Sequence, residues 1–74
     1  MIAAYRDRAM KLREYDMVRL RRPLPEHGLA LGAVGAIVMV FARPPAYEVE
    51  FCDDDGAPLA LVTLGEEDVE KAAD

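Results

Sequence analysis

Few residues in this chain carry chemistry, and their spacing decides what they could do. His27 is the only histidine and Cys52 the only cysteine, and no serine occurs anywhere. Nucleophilic catalysis needs a nucleophile beside its base and a third group that orients the base. One histidine and one cysteine are also too few ligands for a zinc site. The run Asp53-Asp54-Asp55-Gly56 invites a calcium reading. A calcium loop spaces its oxygens at alternating positions and closes on a distant carboxylate, so three contiguous aspartates read as a solvated hairpin turn. Gly32-Ala33-Val34-Gly35 lacks the lysine and the helix of a phosphate loop. The residues therefore predict no catalytic group, no metal and no cofactor.

The remaining chemical candidate is a basic patch, Arg19, Arg21 and Arg22. Residues 1–22 hold seven Lys/Arg against three carboxylates, a net of +4, while residues 23–74 hold two against eleven, a net of −9. Such asymmetry suits nucleic acid, and a barrel using segment 19–22 and loop 21–32 to grip RNA is one reading. The other is that the arginines pair with the acidic C-terminal segment inside one fold. The second is the expectation, because a chain of net charge −5 repels phosphate over most of its surface.

Seventy-four residues make one domain. A domain this small buries only about 60% of its unfolded surface, so self-association is a ready way to enlarge the core. An apolar content of 53% argues against disorder. A lone cysteine forms no internal disulfide, no apolar run is long enough to span a membrane, and the first ten residues carry charges where an export signal is apolar. A cytoplasmic protein is expected.

The elements that must position these residues follow from periodicity. Ile2, Tyr5, Ala9 and Leu12 share one side at helical spacing, so residues 1–13 read as an extension, a short helix or irregular, before a domain over 14–74. Residues 14–20 read as a first strand with Asp16, Val18 and Leu20 on one face. Pro23, Pro25 and Gly28 break it into a loop. A second strand is predicted over 34–42 and ends at Arg43-Pro44-Pro45. Residues 46–52 alternate cleanly, with Tyr47, Val49 and Phe51 inward and Glu48, Glu50 and Cys52 outward. The aspartate turn leads to a fourth strand, 59–64, with Ala60, Val62 and Leu64 inward. Gly65 to Asp68 predicts one helical turn, and Val69 starts a short fifth strand.

The second strand poses the sharpest question, because it is apolar on both faces. Val34, Ala36, Val38 and Val40 occupy one side; Gly35, Ile37, Met39 and Phe41 the other. Either a bulge turns the strand so that different sides face the core along its length, with the N-terminal segment covering the rest, or one side is a protein contact. The candidate interaction surface is Ile37, Met39 and Phe41. Five short strands joined by turns predict a small all-β fold, a five-stranded SH3-like antiparallel barrel whose last strand lies beside its first.

Residues 14–69 resemble a known family. Tyr15-Asp16-x-Val18-x-Leu20, then Leu24-Pro25-Glu26-x-Gly28-Leu29-x-x-Gly32-x-x-Gly35, then Tyr47-x-Val49-Glu50-Phe51-x-Asp53-x-x-Gly56 and Val62-Thr63-Leu64 are similar to the pattern of small bacterial proteins grouped as domain of unknown function 4926. The resemblance implies an SH3-like barrel and no activity. Similar glycine turns in ribosomal-type RNA-binding barrels and in nitrile hydratase subunits are analogies of fold. The expected function is a non-enzymatic interaction module that self-associates as a homodimer or meets another protein, such as an accessory or neutralising subunit for a neighbouring gene's product.

Overall fold

The computed structural model describes residues 12–72. The helix expected within residues 1–13 falls almost wholly outside them. The described chain is all-β, with five antiparallel strands and no α-helix: β1 (Met17–Leu20), β2 (Val34–Ala42), β3 (Pro45–Cys52), β4 (Pro58–Leu64) and β5 (Val69–Lys71). They form one sheet in the order β4-β3-β2-β1-β5, so the last strand folds back beside the first. Closure into a barrel is not detected in the strand pairing. Two 3-10 turns, Pro25–His27 and Glu66–Asp68, precede β2 and β5.

The first strand is shorter than its alternation predicts. Tyr15 adopts a φ of 73°, a left-handed conformation that a bulky residue rarely adopts and that ends the regular ladder, although the Tyr15 N–H still donates to the Ile37 carbonyl and the Asp16 carbonyl accepts the Ile37 N–H. A turn over Arg13 to Asp16 holds it there: the Asp16 N–H donates to the Arg13 carbonyl, and the Asp16 carboxylate accepts the Arg13 N–H at 3.0 Å. Residues 14–16 therefore stand outside β1.

The core is built from the inward sets of all five strands. Val18 and Leu20 of β1, Ile37 of β2, Tyr47, Val49 and Phe51 of β3, Leu64 of β4 and Val69 of β5 are all buried. Ala60 and Val62 pack partly buried against them. Leu24 and Leu29 join this core from what reads in sequence as a plain loop. Each accepts the other's N–H through its carbonyl, at 2.8 and 3.0 Å, around a 3-10 turn that ends on Gly28 at a φ of 69°. The loop is thus a plug with an apolar underside. Full burial of a leucine contributes about 1.5–3 kcal/mol, which ties the plug to the sheet.

A bulge answers the question of the two-sided strand. The β2–β3 register runs Ile37 to Val49 and then Met39 to Glu48, so Val38 is the extra residue. One extra residue shifts a period of two by one. Gly35 and Ile37 face inward before it; Val40, opposite buried Tyr47, packs against the core after it. Gly35 is required for closeness here. A Cβ at this position would lie 2.8 Å from the Glu50 carbonyl oxygen and from the side chains of Val49 and Phe51.

Candidate functional site

The outward face of the sheet is the most distinctive surface among the described residues. Cross-strand pairing sets Leu61, Glu50, Ala36 and Met17 in one row across β4, β3, β2 and β1, with Thr63, Glu48 and Met39 in the next. Leu61 is 58% exposed, Leu59 56%, Met17 and Val34 49% and Met39 48%. Glu48 and Glu50 stand among these apolar groups, and Glu48 accepts a hydrogen bond from the Thr63 hydroxyl at 2.8 Å. Phe41 continues the same side toward the β2–β3 turn and is exposed.

Of the three residues expected to form an interaction surface, Met39 and Phe41 lie on this face. Ile37 does not. It is wholly buried, because the bulge at Val38 separates its phase from that of Met39. Met17, Val34, Leu59 and Leu61 are the members that sequence reasoning passed over. Alternation in β4 signals Leu59 and Leu61, since inward Ala60, Val62 and Leu64 leave two leucines on the opposite side.

The basic patch lies at the surface, and two of its three arginines are paired within the fold. The Arg19 guanidinium donates to the Glu70 carboxylate at 2.7 Å and also to the Ala72 carbonyl, while Arg22 donates to Asp68 at 2.8 Å. The pairing follows from topology, because β5 lies antiparallel to β1 with Arg19 opposite Glu70. Arg22 holds the Asp68 carboxyl below the usual carboxylate range, chiefly through this hydrogen bond, with the Gly65 N–H assisting at 3.0 Å. Asp68 in turn raises the Arg22 guanidinium above its ordinary value. Arg21 is exposed and lines a cleft of about 320 Å³ with Leu12, Tyr47, Glu66, Val69, Glu70 and Lys71.

That cleft holds a polar network that reaches the core. The Tyr47 hydroxyl donates to the Glu66 carboxylate at 2.9 Å and accepts the Leu12 N–H at 3.3 Å. Burial, reinforced by the bond to Glu66, pushes the phenol up to about 12. A phenol so reluctant to ionise is no general base near neutrality, and its role is to anchor the 3-10 turn and the Leu12 backbone to β3. His27 is exposed on its 3-10 turn, Cys52 is exposed at the end of β3, and Asp53 closes the β3–β4 hairpin by accepting the N–H groups of Asp55 and Ala57, each at 2.9 Å. No three His, Cys, Asp or Glu side chains among the described residues come together as a metal site. No described helix is long and apolar enough to cross a membrane.

No curated protein and no solved structure matches the chain. A family model does: the one described as "Domain of unknown function (DUF4926)" matches residues 14–71. That span runs from the turn before β1 to the end of β5 and takes in every strand of the outward face. The chain belongs to the DUF4926 family.

Proposed function

We propose that this protein is a non-enzymatic protein–protein interaction module that offers the outward face of its sheet, with the adjoining β4 border, to another polypeptide. The observation that carries this reading is the gathering of Leu59, Leu61, Met17, Val34 and Met39 on one exposed face. Scattered exposed leucines are ordinary; a shared face of them on a soluble domain marks a contact surface. The strand order, the bulged second strand and the 3-10 turn before β5 support an SH3-like barrel as the architecture. Fold alone assigns no partner. A small acidic module of this kind suits an accessory or neutralising subunit for a neighbouring gene's product, working in the cytoplasm, where a lone exposed thiol persists.

Nucleic acid is the weaker reading. A phosphate reaching Arg19 or Arg22 must displace Glu70 or Asp68, and of the three leucines of loop 21–32 two, Leu24 and Leu29, are buried, leaving only Leu31 open to a base. The test is capture from host extract with the wild-type chain and with a Met17→Asp/Met39→Asp double variant of unchanged circular dichroism. The reading expects proteins held by the wild type and lost by the variant. Identical captures by both baits refute it, and co-eluting RNA that disappears with Arg21→Ala would favour the nucleic-acid reading instead.

A further inference from the structure

The β4 border of the sheet is a row of backbone groups with no strand beside it among the described residues, since β4 pairs with β3 alone. Its seven residues, Pro58–Leu64, include no charged side chain. Natural sheets guard such borders with lysine, inward charges, bulges or brevity. Here only Pro58, at the first position, and a bulge at Leu59, the extra residue between the Phe51–Ala60 and Cys52–Pro58 pairs, serve that purpose, and both lie at the hairpin end. The five residues from Ala60 to Leu64 are unguarded.

Resting on the interaction reading above, we infer that a second copy of this chain adds to this border, β4 against β4, antiparallel about a twofold axis at Leu61. A twofold contact uses one patch twice, so the patch must complement itself. Leu61 is the middle residue of the strand, and an axis there gives full overlap. It sets Leu61 against Leu61 and Leu59 against Thr63 on the outward face, with Ala60 against Val62 on the inner face. Same-face pairing is preserved from Ala60 to Val62, the regular stretch around the axis, while the bulge at Leu59 and Pro58 lie at its margin.

Charge decides between this arrangement and the other symmetric one. β4 brings no like charges together, since it has none. Stacking two outward faces instead would press Glu48 and Glu50 of one copy toward those of the other, with no cation on β2, β3 or β4 of that face to offset them. Edge pairing leaves those carboxylates in solvent at the flank of a continuous sheet of ten strands. It also extends the apolar face across both copies and enlarges a core that is small for one copy.

Cross-linking of the full chain distinguishes these geometries. In a Cys52→Ser background, Leu61→Cys and Met39→Cys place one thiol on the border or two strands inside it. A short bismaleimide should convert the Leu61→Cys chain mainly to dimer and leave the Met39→Cys chain monomeric. Hydrogen exchange of the wild type should slow in the β4 amides as protein concentration rises. Preferential cross-linking through Met39→Cys overturns edge pairing while keeping the face as an interaction surface. No cross-linking at either position also overturns it, and the capture experiment then judges the interaction reading alone. Slow β4 exchange at every concentration means that another part of the same chain covers the border, which overturns the inference as well.

Discussion

The two borders of the sheet are opposites in construction. β5 is three residues long, carries Glu70 and Lys71 in solvent, and follows Glu66, Glu67 and Asp68. Its neighbourhood is tied down by Arg19 and Arg22. β4 is seven residues long, uncharged, and exposes Leu59 and Leu61. Both borders flank one core, so stability does not require the difference. Charge and brevity at β5 do what edge protection ordinarily does, and their absence at β4 marks the border where another strand can join. Within one small sheet, the protected edge serves as the reference for the bare one.

The largest effect expected is on what both borders share. Phe51 is buried on β3, and Phe51→Ala should cost about 3–5 kcal/mol, enough to leave a domain of this size largely unfolded and to erase the contrast. Urea denaturation measures it; a loss below about 1 kcal/mol would place Phe51 outside the core. Tyr47→Phe should come next, at about 1–2 kcal/mol, because the Leu12 N–H and the Glu66 carboxylate lose their shared partner. The phenol has its pKa raised in the fold, so its contribution is complete below pH 10 and disappears as pH climbs toward about 12. The gap in melting temperature between wild type and Tyr47→Phe should narrow over that window, and a constant gap would show that the phenol is not held neutral by the fold.

The protected border makes a prediction of the opposite sign. Asp68 has its carboxyl lowered in the fold, so the stability it lends is complete above the ordinary aspartate value near 4 and falls away as pH drops below that, through its depressed folded value. Thermal melts of wild type and Asp68→Asn should therefore converge in acid and separate toward neutral pH. Arg19→Ala, which removes a pair exposed on both sides, should change stability by no more than about 1 kcal/mol. Smallest of all is Glu50→Ala, expected within about 0.5 kcal/mol, since Glu50 faces outward between Ala36 and Leu61. Unfolding by Glu50→Ala with tolerance of Phe51→Ala would reverse the faces assigned to β3.

Much of this fold was legible because alternation and turn chemistry agree. Tyr47, Val49 and Phe51 against Glu48 and Glu50 give β3 and its facing, and Asp53 to Gly56 give the hairpin that follows. Charge arithmetic anticipated that the arginines in and just after β1 meet the acids around β5, and Arg19 with Glu70 and Arg22 with Asp68 do so. Three features escaped for identifiable reasons. Tyr15 sits in a left-handed turn that its aromatic side chain gives no reason to expect. A bulge in the second strand is one of the two alternatives its sequence offers, but its position at Val38 falls in a run of uniformly apolar residues, where a shift of phase leaves no trace, so Ile37 reads as surface and lies in the core. Leu24 and Leu29 pair across a loop whose prolines and glycine announce a break but not its buried underside. The outward face of β4 was readable from its own alternation. Its meaning came only with the strand order, which places it at a border.

The central claim is that the uncharged border joins a second copy, and solution mass tests it most directly. Light scattering coupled to size exclusion, run from micromolar to millimolar protein, should show the wild-type mass rising from 8.2 kDa toward twice that value. Leu61→Lys gives β4 the guard that β5 already has and should hold the mass at 8.2 kDa, with a melting curve that matches the wild type's in dilute solution, while Glu70→Ala at the other border should dimerise as the wild type does. A wild type that stays at 8.2 kDa throughout, or a Leu61→Lys chain that associates as the wild type does, would contradict the account.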